Sequence, residues 1–248
     1  MKILAICGSH RKGNSYSVLS KISEHYPHID YELLMLKDTN LEDCRGCYTC
    51  VLRGEQFCPL KDDRDLVIQK MLDADGVVFQ SPVYVNNISS LMKSFMERFG
   101  YVSHRPLFFG KPAIVMAVCG GFGADEANQY MDDIFSSFGF NIVASPELKV
   151  ATKSDNENSY NLQLTSQAFD SLISKIENGK IDPPSMRQLV MFYIFKMLSE
   201  SQKDYYVADY EYYKDKPEFP YDRNIGFLKT KMAKQAASSS VKDMMKNR

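Results

Sequence analysis

Short apolar runs recur along the chain at wide intervals: KILAIC (Lys2 to Cys7), YELLML (Tyr31 to Leu36), GVVFQS (Gly76 to Ser81), AIVMAVC (Ala113 to Cys119) and NIVASPELKV (Asn141 to Val150). Their length and β-branched content predict strands, and their nearly unbroken apolar character predicts burial on both faces. Between them lie amphipathic stretches of helical length, Asn14 to Ile22, Asp62 to Leu72, Ile88 to Phe99, Ala124 to Phe138 and Ser159 to Ile176, with Asn14, Asp62 and Asp125 near their caps. Strand and helix in alternation predict an α/β fold, a doubly wound five-stranded parallel sheet with helices on both faces.

The pattern changes at NGKIDPPS (Asn178 to Ser185), where a glycine and two prolines stop the preceding helix. A domain of residues 1–180 is predicted, followed by an extension of residues 181–248. The extension reads as a helix from about Met186 to Ser201, an irregular segment and a basic helix or tail to Arg248. Six tyrosines fall between Tyr205 and Tyr221. Such an extension is expected to make no core of its own and to pack on the domain or on a neighbouring subunit.

Composition narrows the function. The 248 residues carry a formal net charge of -1, with 44% hydrophobic and 25% charged residues, the balance of a globular protein with no electrostatic reason to bind nucleic acid. The longest apolar run, LVMFYIF at Leu189 to Phe195, is far shorter than the roughly 18 to 20 residues of a membrane-spanning helix. The start, MKILAIC, turns polar too soon for a signal peptide, so a cytoplasmic location is expected.

The loop after the first strand, CGSHRKGNSYS (Cys7 to Ser17), offers glycines, hydroxyls and basic residues where a chain presents N–H groups to a phosphate. It contains neither the spacing of a nucleotide-hydrolysing phosphate loop nor that of a dinucleotide fingerprint. Cys7 and Arg11 enclose too few residues for a phosphatase loop. A monophosphate held by hydroxyls and amides remains, beside the plainer reading of a tight strand-to-helix turn. The segment QSPVYVNN (Gln80 to Asn87) follows the third strand and supplies an aromatic face and amides. In a sheet of order 2-1-3-4-5, strands one and three flank the switch point, so both loops face one crevice.

Four of the six cysteines, Cys44, Cys47, Cys50 and Cys58, have the spacing C-x2-C-x2-C-x7-C. In a reducing compartment such density favours metal binding or redox work over structural disulfides. A 4Fe-4S cluster and a four-thiolate zinc site both suit the donors, although the paired spacing of zinc ribbons is missing. Thiols carrying no metal are a third reading. Gly46 and Gly54 permit turns, and Pro59 follows the last cysteine. Cys7 and Cys119 read as small buried residues, Arg45 and Arg53 as solvated loop charges, Asp62 to Asp65 as carboxylates at a helix start, and His104 as a surface histidine without a partner.

GSHRKGNS, SPVYVNN with LMKSFMERF, and CGGFGADEANQYM, in that order from Met1 to about Ile176, resemble the NADPH-dependent FMN reductase family, and the cysteine loop resembles its iron-sulfur flavoprotein branch. The resemblance implies a flavodoxin-like fold, bound FMN and a homodimer or homotetramer. Carried over by position, Ser9, Arg11, Asn14 and Ser15 would hold the FMN phosphate, with Ser17 nearby. Pro82, Val83, Tyr84 and Asn86 would line the ribityl chain and ring, and Gly120 and Gly121 would admit the ring's pyrimidine end. His10 stands where the family often has proline. Cys44, Cys47, Cys50 and Cys58 would hold a 4Fe-4S cluster. The implied activity is electron transfer from a donor such as ferredoxin or NAD(P)H to a small-molecule acceptor, with no protein acid or base required. The alternatives are an FMN-only NAD(P)H:acceptor reductase of the quinone type and a zinc-stabilised flavin-binding sensor or interaction module.

Overall fold

In the computed structural model, which describes residues 1–151, 155–216 and 225–246, the apolar runs lie side by side as strands of one sheet. The strands are β1 (Lys2–Cys7), β2 (Asp30–Met35), β3 (Gly76–Tyr84), β4 (Asn87–Ile88), β5 (Pro112–Cys119), β6 (Asn141–Ala144) and β7 (Glu147–Lys149). Their order is β2-β1-β3-β5-β6, with β7 also beside β5 and β4 beside β3. The central pairs are parallel. The order is therefore the expected one, but the sheet has seven strands rather than five. Two causes account for the difference. Ser145 and Pro146 break the last run, so β6 pairs with the start of β5 and β7 with its end. The chain after β3 also folds back on itself as a short antiparallel hairpin with β4.

The helices are α1 (Asn14–Ser20), α2 (Ile22–His25), α3 (Thr49–Leu52), α4 (Arg64–Asp73), α5 (Ser90–Arg98), α6 (Tyr101–His104), α7 (Ala124–Ser137), α8 (Asp155–Asn178), α9 (Met186–Ser201), α10 (Val207–Tyr213) and α11 (Phe227–Lys246). Alternation along the strands splits the core into two layers. Leu4, Ile6, Val77, Phe79 and Val115 face one side, where α4, α5 and α7 bring Met71, Phe95 and Phe135 against them. Ile3, Ala5, Val78, Ile114 and Met116 face the other, under Leu19, Ile22, Phe169 and Leu172 of α1, α2 and α8. The expected caps fall one or two residues from the real ones, which are Gly13, Asp63 and Gly123, none capping through a side chain.

The extension departs from expectation. Leu189, Phe192, Tyr193 and Ile194 of α9, Tyr213 of α10 and Ala233, Ala237 and Val241 of α11 form a buried cluster of their own. Tyrosines make this work because each ring can be buried while its hydroxyl reaches a carbonyl: Tyr213 donates to His104 O (2.6 Å) and Tyr212 to Pro106 O (2.7 Å). Those bonds seat the extension on α6, and Gln188 Nε2 donating to Ser136 O (3.1 Å) seats it on α7. The stretch 217–224, with Tyr221, and the last two residues of the expected tail lie outside the described residues. Among the described residues no helix is long and apolar enough to cross a membrane.

Candidate functional site

The carboxyl ends of β1, β3 and β5 frame one cleft. Its first wall is the loop after β1, which turns at Gly8. A Cβ there would stand 3.0 Å from Met92 Cβ and 3.1 Å from Ser89 Oγ, so only glycine lets this loop lie so close to α5. Gly8 N–H donates to Gln80 O (2.8 Å), and Ser89 Oγ donates to Gly8 O (2.6 Å) while capping α5 at Met92 N (3.1 Å). The Ser81 hydroxyl in turn accepts from Ser89 N (2.9 Å). Ser81 and Ser89 thus lock the two loops together, a role their sequence positions did not announce.

Beyond Gly8 the loop folds back: Ser9 Oγ donates to Arg11 O (2.8 Å). Ser9, Arg11, Asn14 and Ser15 then line a cavity of about 220 Å³ with Pro82, Val83 and Tyr84 from β3 and Gly120 after β5. Ser15 is buried and Arg11 exposed. Gly13, Val118 and Val150 line the same cavity although no ligand role was expected of them, and so does Cys119, which was expected only to be a small buried residue. Three candidates stand apart. Ser17, one turn along α1, lines a neighbouring cleft of about 190 Å³ that shares Asn14. Asn86 sits in the hairpin turn against Gly123. Gly121 is exposed beyond Gly120.

The hairpin turn is strained. Val83 pairs with Ile88 and Tyr84 with Asn87, leaving Val85 and Asn86 as a two-residue turn with φ of 51° and 57°. Such turns demand positive φ at both positions, which glycine and asparagine tolerate and a β-branched residue resists. Val85 is nevertheless fully exposed there. The arrangement holds Tyr84, 45% exposed, beside the cavity. Opposite it, a Cβ on Gly120 or Gly121 would meet nothing within 4 Å, so these glycines leave an open cradle.

The cysteine loop runs from β2 to α4 and is fastened at both ends. Asp63 Oδ2 accepts from Asn40 N (2.7 Å) and Asp62 Oδ2 from Glu42 N (3.0 Å). Asp62, 1% exposed in its side chain, also takes a two-pronged pair from Arg98 (2.8 Å to each oxygen). Burial pushes the Asp62 carboxyl up, but Arg98 and the N–H groups of Glu42 and Arg64 outweigh it and hold it below the usual carboxylate range. Gly46 and Gly54 adopt φ of 62° and 122°, as the loop's turns require, and Tyr48 joins them at 59°. No disulfide joins the cysteines: Cys44 and Cys47 are exposed, Cys50 half-buried and Cys58 buried. A hydrogen bond with Thr49 holds the Cys47 thiol below its ordinary range. Burial, then the neighbouring Cys58 and Cys44, raise Cys50. Four thiols are the donor set of an iron-sulfur cluster, yet among the described residues no three metal-ligating side chains are drawn into one metal-holding group.

The remaining cysteines are buried, and Cys7 Sγ donates to Gln80 Oε1 (3.0 Å) with burial raising its thiol to about 11. Arg45 is exposed and pairs loosely with Glu42 (3.6 Å), and Arg53 lies over the Phe57 ring. His104 is not a lone surface residue: its Nδ1 is 2.8 Å from Asp209 Oδ2 and its ring lies 4.1 Å from that of Phe195. Arg98 and Arg105, which pair with groups of the loop, and Asp209, which pairs with Arg105, were not singled out by sequence.

Residues 1–155 match the NADPH-dependent FMN reductase family. The chain is similar to an iron-sulfur flavoprotein of Archaeoglobus fulgidus, 28% identical over 233 residues, 87% of this chain and 99% of that one. It is also similar to an NADPH:quinone oxidoreductase of Arabidopsis thaliana, 26% identical over 158 residues, 59% of this chain and 72% of that one. Among solved structures, a flavone reductase superposes with a TM-score of 0.57 at 17% identity, covering 73% of this chain and 65% of that one, a likeness of fold. Sheet order, cleft and sequence match agree, and the chain belongs to the NADPH-dependent FMN reductase family, whose members are flavin-dependent oxidoreductases.

Proposed function

We propose that this protein is an electron-transfer flavoprotein that binds FMN in the cleft between β1, β3 and β5 and a 4Fe-4S cluster on the loop of Cys44, Cys47, Cys50 and Cys58. The observation that carries the reading is the convergence of the hydroxyl-rich first loop, the aromatic end of β3 and the open Gly120–Gly121 cradle on one cavity. FMN exchanges electrons in pairs or singly and an iron-sulfur cluster only singly, so together they link two-electron donors to one-electron acceptors or the reverse.

The chain's own residues bind and orient. Ser15 and Asn14 offer hydroxyl and amide donors to a phosphate, Ser9 joins them once its hydroxyl turns from Arg11 O, and the Arg11 guanidinium offers charge at the exposed mouth. Pro82, Val83 and Tyr84 offer an apolar and aromatic wall for the ribityl chain and ring. The two glycines keep side chains out of the ring's space. Asn86, Gly121 and Ser17 stand at the margins, and we assign them to the outer contacts of the same ligand.

The four free thiols and their fastening at both ends support the cluster. Arg98 beside Cys58 supplies positive charge to an anionic cluster. An FMN-only NAD(P)H:acceptor reductase is the second reading, favoured by the exposure of Cys44 and Cys47 and by the absence of a converged metal-holding group among the described residues. The donor is a reduced protein such as ferredoxin or NAD(P)H, the acceptor a small molecule, the assembly a homodimer or homotetramer, and the setting the reducing cytoplasm. Absorption spectra taken without oxygen separate the readings. A broad absorbance beneath the flavin bands, bleached on reduction, is expected; flavin bands alone would select the second reading.

A further inference from the structure

Arg105 stands where three parts of the molecule meet. It follows α6, its side chain is 6% exposed, and its guanidinium lies 5.5 Å from the centroid of the Tyr101 ring. Toward the cysteine loop it donates through Nη2 to Cys50 O (2.6 Å) and through Nη1 to Val51 O (3.3 Å), and it pairs with Glu55 Oε2 (3.0 Å). Toward the extension it pairs with Asp209 of α10, whose side chain is 2% exposed and whose other oxygen faces His104 Nδ1.

The loop-side contacts fall between Cys50 and Cys58. A four-residue helix such as α3 leaves its late carbonyls without partners inside the helix, and Arg105 takes two of them. A guanidinium is a rigid planar fork, so it fixes the direction of these carbonyls as well as their distance. A buried guanidinium is costly without a buried countercharge. Glu55 is half-open to water, so Asp209 is the buried partner, and it comes from the extension. Neither Arg105 nor Asp209 lines the cleft between β1, β3 and β5.

We propose that Arg105 and Asp209 are positioning residues for the cysteine loop, through which the docked C-terminal extension governs where Cys50 and Cys58 stand and whether the loop takes up a cluster. The last clause rests on reading the loop as a cluster site; the clamp itself does not.

The test uses the full chain purified without oxygen as wild type, D209N, D209A and V241A. Val241 sits in the extension's own buried cluster, so V241A weakens the extension without touching the clamp. D209N keeps shape and an acceptor but removes the charge, and serves if D209A does not fold. Three quantities are read: amide hydrogen exchange of residues 41–58, iron and sulfide per chain, and FMN per chain. Loss of the clamp is expected to speed exchange in the loop at least about tenfold in both Asp209 variants, with β1, β3 and β5 unchanged. Roughly half or more of the iron should go while FMN stays. V241A should lower the melting temperature with neither effect. Exchange in D209N equal to wild type, or equal loosening of the loop in V241A, overturns the proposal. If the wild type itself carries no iron, the cluster reading fails, and the exchange comparison on the metal-free chain still decides the clamp by the same two results.

Discussion

Ser15 and Gly120 line the same cavity, and the proposed reading gives them opposite duties, one to supply a hydroxyl and one to supply nothing. If Ser15 holds the FMN phosphate as proposed, Ser15→Ala removes a charge-assisted bond worth about 1.5 to 3 kcal/mol, so FMN affinity measured by flavin fluorescence should fall about 10- to 100-fold. Gly120→Leu adds a side chain whose Cβ would meet no atom within 4 Å, at a backbone conformation not reserved for glycine. It should leave the melting temperature of the FMN-free protein near wild type while FMN affinity falls by about tenfold or more. A melting temperature that falls with the affinity would show instead that Gly120 serves the fold. At this scale the meeting of the first loop with the end of β3 at one cavity was legible, because the loops after neighbouring strands gather at the carboxyl edge of such a sheet. The partner of His104 was not, because Asp209 lies 105 residues further on and only the folded extension brings it back. Val85 was equally opaque: valine and asparagine do not announce a turn that needs positive φ twice.

Among elements, the pair Asp62–Arg98 ties the start of α4 to the end of α5 and closes the cysteine loop at its base. Both side chains are almost fully buried, so Asp62→Asn leaves a guanidinium without its countercharge and should cost about 3 to 5 kcal/mol in urea unfolding. The sign of the acid response follows from the lowered carboxyl of Asp62. Its contribution is present in full above the unfolded value near 3.8 and is lost as pH falls toward the lower folded value. Stability of the wild type should therefore drop more steeply below about pH 4 than that of Asp62→Asn, read from urea midpoints across that range. Equal slopes would mean the pair is not ionised as described. Helices α5 and α7 were legible from their apolar spacing, and α9 from the glycine and prolines that precede it. The hairpin and the split of the last strand were not, since both depend on pairing with a strand distant in sequence. The extension's buried cluster escaped notice because its small residues, Ala233 and Ala237, carry no apolar signal until α9 packs on them.

At the scale of the molecule, the sheet gathers one cleft at its carboxyl edge, while the loop from β2 to α4 carries the thiols and the extension braces that loop through Arg105. The division of labour is physical. Rigid strands and glycines shape the cavity, buried ion pairs orient the loop, and tyrosine hydroxyls fasten the extension to the body. On the proposed function, cleft and loop each hold a redox group. That reading is tested most directly by measuring FMN, iron, acid-labile sulfide and zinc per chain on protein purified without oxygen. About one FMN with about four irons and four sulfides is expected. FMN alone, or FMN with one zinc, would contradict it and leave Cys44, Cys47, Cys50 and Cys58 without a part in electron transfer.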